Sequence, residues 1–264
     1  MDKPDVDRVT VIGLALMMVP LLTMWHEIGG HAAACMTLGG HVDTIGAFYV
    51  DCSALEGWRQ IAMSSAGVLV DAFAATVAWA VWRRASKDVI RLASWYVAVG
   101  KGFVASGYFL FSGVTAYGDF GTDPGGGLAG LPHPVVWRVL LIVVGGLLYW
   151  QLYLLAARTL GEMVGQGLET RRARRTIAHL FYVTLGADAV LVGLFNPIGI
   201  LITTMSAAAS SFGGNAGLIS VGFATRGEGT PRSFVIKRNW FVLAAGLSFS
   251  VLFGVILGPS LHFR

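Results

Sequence analysis

The chain has 264 residues, of which 55% are hydrophobic and 13% are charged, and its formal net charge is +4. A soluble domain carries about 25% charged residues, so this composition, with a mean hydropathy of +0.67, excludes an ordinary soluble globular protein. The charged residues also lie in short groups between long apolar runs, which is the arrangement that a bilayer requires. We therefore expect an integral membrane protein.

Apolar runs that can cross the hydrocarbon core of a bilayer, about 20 residues each, recur along the chain. The expected spans are residues 9–38, 60–82, 92–116, 134–157 and 240–258, with one or two more within 177–224. Asn196-Pro197 and Gly213-Gly214 interrupt the 177–224 stretch, which favours two spans there. The sequence thus predicts an all-α integral membrane protein of six to seven transmembrane helices, with a short β-hairpin-like segment after the first span.

The polar connections near 39–58, 117–133, 158–176 and 225–239 are too short for a soluble domain. Residues 1–264 are therefore expected to form a single polytopic membrane domain. The first apolar segment is too long for a cleavable signal peptide, so we expect it to remain in the mature protein.

Fifteen of the 19 Lys and Arg residues fall in four regions: the N-terminal tail to Arg8, and residues 83–91, 158–175 and 225–239. With seven spans, all four regions lie on one side of the membrane. The positive-inside rule makes that side cytoplasmic, so we expect a multi-pass protein of the inner (plasma) membrane with a cytoplasmic N-terminus. A basic surface beside anionic lipid accounts for the net charge without a nucleic-acid partner.

Two His and one Glu lie within the first predicted span, in the sequence His26-Glu27-Ile28-Gly29-Gly30-His31. The pattern resembles H-E-x-x-H, in which two His one turn apart bind zinc and the Glu is the general base, but the second His comes one residue late. On a regular helix, residues five apart point about 140° away from each other. A π-helical turn at Gly29-Gly30 would bring both rings to one face; otherwise the pattern is a coincidence or a remnant and the His are polar packing partners. Because ionisable groups within a span are costly and usually functional, we favour a metal site.

A catalytic zinc ion usually has three protein ligands and one open position, so a third ligand is expected at the depth of His26 and His31. The first and third spans both run outward, which places Asp119, after the third span, at a comparable depth. Asp123 is its rival. Asp71 and Asp188, each alone in a span, could also be ligands, although a helix-to-helix hydrogen bond is the expected role of both.

Residues 9–125 resemble the site-2-protease-like family of intramembrane zinc metallopeptidases. The resemblance rests on four features: His26-Glu27 with His31, Leu38-Gly39-Gly40-His41-Val42 before an apolar strand, Ala66-Gly67-Val68-Leu69-Val70-Asp71, and an Asp late in the third span. The chain departs from the family pattern by the extra residue between the His pair, by Val68 for Pro, by Asp71 for Asn and by Gly-Asp-Phe for Leu-Asp-Gly. The resemblance implies that residues 1–125 are a metallopeptidase-like core and that 126–264 add further transmembrane helices.

By the same resemblance, His26, His31 and Asp119 would hold Zn²⁺ and Glu27 would activate its water to hydrolyse a peptide bond of a transmembrane protein substrate. Asp71 is the candidate for substrate binding. A predicted strand at 43–50 could pair with an unwound substrate segment, or could belong to a short hairpin that closes the loop. Two alternatives stay open: a non-catalytic metal-binding relative with a regulatory role, and an ion or proton transporter, for which a helix broken as at Asn196-Pro197 is typical.

The two cysteines, Cys35 and Cys52, do not form a zinc-ligand pattern. Both are expected toward the outer side, where a disulfide is chemically permitted. We favour two unpaired thiols, with Cys35 as a small buried residue. His41, at a predicted strand start, is expected on the surface.

Overall fold

The computed structural model describes residues 3–224 and 233–263, apart from the side chains of residues 202 and 204. Six helices in these residues are long and apolar enough to cross a membrane: α1 (Arg8–Thr37), α2 (Trp58–Arg84), α3 (Asp88–Thr115), α4 (Pro134–Val164), α5 (Leu168–Gly193) and α8 (Trp240–Leu257). Large apolar side chains on the outer surfaces of α4 and α8, such as Val135 and Val255, are more than half exposed. A surface of this kind suits contact with lipid. The protein is therefore mostly helical, as predicted, and its helices are consistent with a multi-pass membrane protein.

The helices extend beyond the apolar runs that predict them. α4 continues to Val164, seven residues past the predicted end, and α5 begins at Leu168, nine residues before 177. Exposed Arg158 and Glu162 form an ion pair with 2.9 Å between Nε and Oε1 on the surface of α4. Charged side chains can continue a helix outside a bilayer, where an apolar run no longer marks its end.

Two small sheets lie at opposite ends of the bundle. Strand β1 (Asp5–Val6) pairs in parallel with β4 (Val235–Ile236), and these strands precede α1 and α8. Strand β2 (His41–Ile45) pairs in antiparallel fashion with β3 (Val50–Ser53) and, on its other edge, with β5 (Leu261–His262), which follows α8. α1 and α8 therefore run in the same direction. We call the end that holds β1 the basic end and the end that holds β2 the hairpin end.

The segment between α5 and β4 returns the chain to the basic end. It consists of α6 (Ile200–Ile202), a π-helical stretch Thr203–Gly213 and α7 (Gly217–Phe223). It runs antiparallel to α5, because the Tyr182 hydroxyl donates to Phe212 O at 3.3 Å, while His179 Nε2 donates to Ile219 O at 2.9 Å nearer the start of α5. The described part of the chain thus passes seven times between the two ends. The seven-pass interpretation of the 177–224 stretch agrees with this path.

With seven passes, alternate connections lie at the same end of the bundle. The predicted basic regions therefore lie together at the basic end, as far as the structure describes them. Arg226 and Arg232 of the fourth region lie outside the described residues. At this end, the Asp7 carboxylate caps α1 by accepting from Thr10 N at 3.1 Å and accepts from Arg238 Nε at 3.0 Å. Burial would raise the pKa of Asp7, but the Thr10 hydrogen bond and the Arg238 guanidinium hold it below its ordinary value.

The region after α1 is a hairpin, and a single strand over 43–50 is wrong. β2 ends at Ile45 and β3 begins at Val50, and Gly46 N donates to Tyr49 O at 2.9 Å in the turn between them.

The hairpin brings Cys52 back over the end of α1, where Cys52 forms a disulfide with Cys35. The prediction of two unpaired thiols is therefore also wrong. The pairing depends on the turn of the hairpin, which brings together residues 17 positions apart.

Candidate metal centre

The first helix is not uniform at the His pair. Arg8–His26 is α-helical, Glu27–Ala32 forms a π-helical turn, and Ala33–Thr37 is α-helical again. This wider turn takes up the extra residue and brings His26 Nε2 within 3.1 Å of His31 Nε2. The prediction of a widened Gly29-Gly30 turn with both rings facing a common point is confirmed.

Asp119 completes a group of three possible ligands. Its Oδ2 atom lies 3.5 Å from His26 Nε2 and 3.5 Å from His31 Nε2. This Oδ2 atom is buried, and it has no hydrogen-bond partner among the described residues. In a tetrahedral zinc site with ligand bonds of about 2.0–2.1 Å, ligand atoms lie about 3.3 Å apart. The three separations bracket this value, so the atoms are spaced to surround a small cation.

The other ring nitrogens make the contacts that metal-bound imidazoles usually make. His26 Nδ1 lies 2.9 Å from Asp71 Oδ2, and His31 Nδ1 lies 3.0 Å from Met63 O. A carboxylate or carbonyl in this position accepts the Nδ1 proton, which leaves the Nε2 lone pair for the metal. Both acceptors belong to α2. The Nδ1 contacts of both rings therefore suit imidazoles that bind a metal ion through Nε2.

Close contact between α1 and α2 makes room for this arrangement. A Cβ atom on Gly30 would lie 2.6 Å from Gly67 Cα. A Cβ atom on Gly67 would lie 2.6 Å from His26 Nε2 and still closer to His31 Nε2. Since no side chain fits at Gly67, the second helix contacts the ligand nitrogens with its backbone.

The loop after α3 positions Asp119. α3 ends at Thr115, and Ala116 adopts a left-handed conformation with φ of 70°. Asp119 O accepts from Gly127 N at 3.1 Å, which fixes the backbone of the loop. In this position the carboxylate lies 3.5 Å from both Nε2 atoms, and a carboxylate oxygen is a usual ligand of zinc.

The remaining acidic candidates lie elsewhere. Among the described residues, Asp123 does not belong to the group of His26, His31 and Asp119. Asp188 of α5 accepts from the Ser250 hydroxyl of α8, which is the helix-to-helix role expected of it. Asp71 is fully buried and bridges α2 to α1 through His26, so its expected helix-to-helix hydrogen bond is confirmed. Its predicted contact with substrate stays a prediction.

The ligand group opens into a cavity of about 550 Å³ at the hairpin end. Glu27, 4% exposed, lines this cavity together with His31 and Asp119, and the Tyr108 ring, which also lines it, stacks on His26 with 5.0 Å between centroids. The residues Val50, Asp51 and Cys52 of β3 form another part of the wall. The three possible ligands and the Glu27 carboxylate therefore lie beside one cavity.

Two side chains of α3 at this site were missed in the sequence. Tyr108 carries no distinguishing signal, because aromatic residues are common in apolar spans. Lys101 does carry one: it is a lone charge within a span, and such residues are usually paired and functional. Its ammonium lies 2.6 Å from Asp71 Oδ1.

Comparisons of the chain with models of known protein families, with curated proteins and with solved structures find no match.

Proposed function

We propose that the chain is an intramembrane zinc metallopeptidase and a divergent relative of the site-2-protease-like family. The observation that carries the proposal is the spacing of three buried ligand atoms, 3.1–3.5 Å apart, beside a Glu that lines the same cavity. His26, His31 and Asp119 would hold Zn²⁺. A bound zinc ion supplies Lewis acidity and a water-derived nucleophile at neutral pH.

Glu27 is the proposed general base. It follows His26 directly, lines the cavity and is not one of the three ligands. Its carboxylate can accept a proton from the attacking water and return it to the leaving amine. Two further side chains would hold the ligands in place: Tyr108 by stacking on the His26 ring, and Asp71 through His26 Nδ1.

The proposed substrate is a transmembrane segment that unwinds to expose one peptide bond. β2 has β3 on one edge and β5 on the other, whereas β3 pairs on one edge only within the described sheets. Since Val50–Cys52 of β3 also line the cavity, an extended substrate would add to β3. Strand addition to the 43–50 segment, as first expected, is replaced by addition at this neighbouring edge.

The proposed location is the inner (plasma) membrane, with the basic end in the cytoplasm. The cavity would then open toward the opposite face, beside the hairpin. The lipid bilayer and a membrane-embedded protein substrate are the proposed partners, and no nucleic acid is involved.

The test measures zinc content and cleavage by the same purified protein in nanodiscs. The probes are single-span reporter proteins whose apolar segments differ in helix-breaking residues, and new termini are detected by mass spectrometry. We expect about one zinc ion per wild-type chain, loss of zinc and cleavage in His26→Ala, and retained zinc without cleavage in Glu27→Gln. Glu162→Gln, on the surface of α4, is the matched control and should behave like wild type.

Two outcomes would redirect the assignment. If wild type and His26→Ala contain the same trace of zinc, the metal site is wrong, and an ion or proton transporter becomes the alternative to test by flux in liposomes. If wild type holds zinc but cleaves no reporter, or if Glu27→Gln cleaves normally, a non-catalytic metal-binding relative with a regulatory role becomes the better assignment.

A further inference from the structure

A buried lysine lies behind the candidate metal centre. Lys101 belongs to α3, is 5% exposed, and has its Nζ atom 2.6 Å from Asp71 Oδ1. The second oxygen of Asp71 lies 2.9 Å from His26 Nδ1. Lys101 of α3, Asp71 of α2 and His26 of α1 are therefore linked by consecutive side-chain contacts, and the last of them is a proposed metal ligand.

The formal charges of the site balance when a divalent cation is bound. Three carboxylates, those of Glu27, Asp71 and Asp119, are clustered around the two His. A divalent metal ion and the Lys101 ammonium together supply three positive charges. The loaded site is then neutral, and an uncompensated charge within a membrane-spanning bundle is costly.

We infer that Lys101 is a positioning residue of the metal site, which holds the Asp71 carboxylate against His26 and balances its charge when a divalent cation is bound. Within the described residues, Asp71 is the one carboxylate in ion-pair distance of Lys101. Both oxygens of Asp71 are thus engaged, one by each neighbour, so its carboxylate cannot rotate without breaking a contact. This inference rests on the proposed metal site and does not require peptidase activity.

The expected effect concerns metal affinity. Residues that support a ligand from behind typically contribute 10–100-fold to metal affinity. In Lys101→Met, Asp71 Oδ1 would be buried without its ammonium partner, and the carboxylate would be free to turn away from His26. We expect zinc affinity to fall at least tenfold, although removing a positive charge near a cation would by itself strengthen binding. The two explanations therefore predict opposite signs.

The experiment measures zinc affinity by chelator competition on the full-length protein in nanodiscs. Lys101→Met and Asp71→Asn should each weaken binding, and the double variant should be no weaker than Asp71→Asn alone, because both residues act through one contact. Lys101→Arg should recover most of the affinity. Ser106→Ala is the control, since this buried hydroxyl of α3 donates, within the part of the chain that the structure describes, only to backbone of its own helix, at 3.0 Å from Gly102 O and 3.1 Å from Phe103 O.

A second readout separates positioning from general stability. Visible absorption of the Co²⁺-loaded protein reports ligand geometry, so the band should shift in Lys101→Met and return in Lys101→Arg, while Ser106→Ala keeps the wild-type band. If Lys101→Met does not fold, the same measurements are made on the double variant Lys101→Met/Asp71→Asn, which adds no unpaired charge. Unchanged or tighter zinc binding in Lys101→Met or in the double variant overturns the inference. The peptidase proposal is judged separately by Glu27→Gln, so failure of one is distinguishable from failure of the other.

Discussion

The Nε2 atoms of His26 and His31 lie 3.1 Å apart, although the two residues are five positions apart along one helix. The π-helical turn Glu27–Ala32 removes the angular offset that a regular helix would impose. Gly30 within this turn lies against Gly67 of α2. The ring pair thus depends on local helix geometry and on the contact between two helices.

We predict that Gly67→Ala abolishes zinc binding. The added Cβ would displace both Nε2 atoms, and overpacking of this kind costs about 1–3 kcal/mol of folding free energy. Zinc content and thermal unfolding of the purified variant test this. Gly29→Ala is the matched control in the same turn, because its Cβ would meet the Trp25 ring at an ordinary 3.5 Å. Normal zinc content in Gly67→Ala would mean that the two His do not hold the metal in the described geometry.

The third ligand is tested by comparing Asp119→Ala with Asp123→Ala. We expect Asp119→Ala to lose zinc as completely as His26→Ala, because two protein ligands hold zinc poorly. Asp123→Ala should keep it, since the backbone contact from Asp123 N to Ala116 O, 3.2 Å, survives the substitution. Metal content after dialysis against a weak chelator is the measurement. The reverse pattern would transfer the ligand role to Asp123 and require a rearranged loop.

The Cys35–Cys52 disulfide should stabilise the hairpin end. A bridge across 17 residues contributes about 3 kcal/mol by reducing the freedom of the unfolded chain. Cys52→Ser should therefore lower the unfolding temperature, and a reducing agent should lower that of wild type by a similar amount. The variant itself should not respond to the reducing agent. An equal response of both proteins would show that the bond does not form.

The orientation in the membrane can be measured with two engineered cysteines. Leu168→Cys lies at the exposed start of α5 at the basic end, and Glu56→Cys lies in the exposed connection at the hairpin end. In intact cells, we expect an impermeant thiol reagent to label Glu56→Cys and to leave Leu168→Cys unmodified until the cells are opened. The opposite labelling would invert the orientation but leave the internal geometry of the site unchanged.

Much of the site could be predicted from local sequence. The spacing from His26 to His31 within an apolar run predicts both the buried site and the widened turn, because the period of a helix is a local property. Asp119 could be placed near the His pair because a span that returns to the same side must end at the same depth. The choice of Asp119 over Asp123 required the loop, since four residues of irregular backbone can point their side chains in any direction.

The sequence alone determined the six long apolar helices and the His-Glu-His pattern, because hydropathy and helical period depend on neighbouring residues. Tertiary structure decided which distant groups meet. The Lys101–Asp71–His26 chain joins three helices, the disulfide depends on a hairpin turn, and the seventh pass is established by pairing of β1 with β4 and of β2 with β5. These contacts form because buried charges and strand edges need partners, and a residue's place along the chain does not specify which partner the packed helices bring within reach.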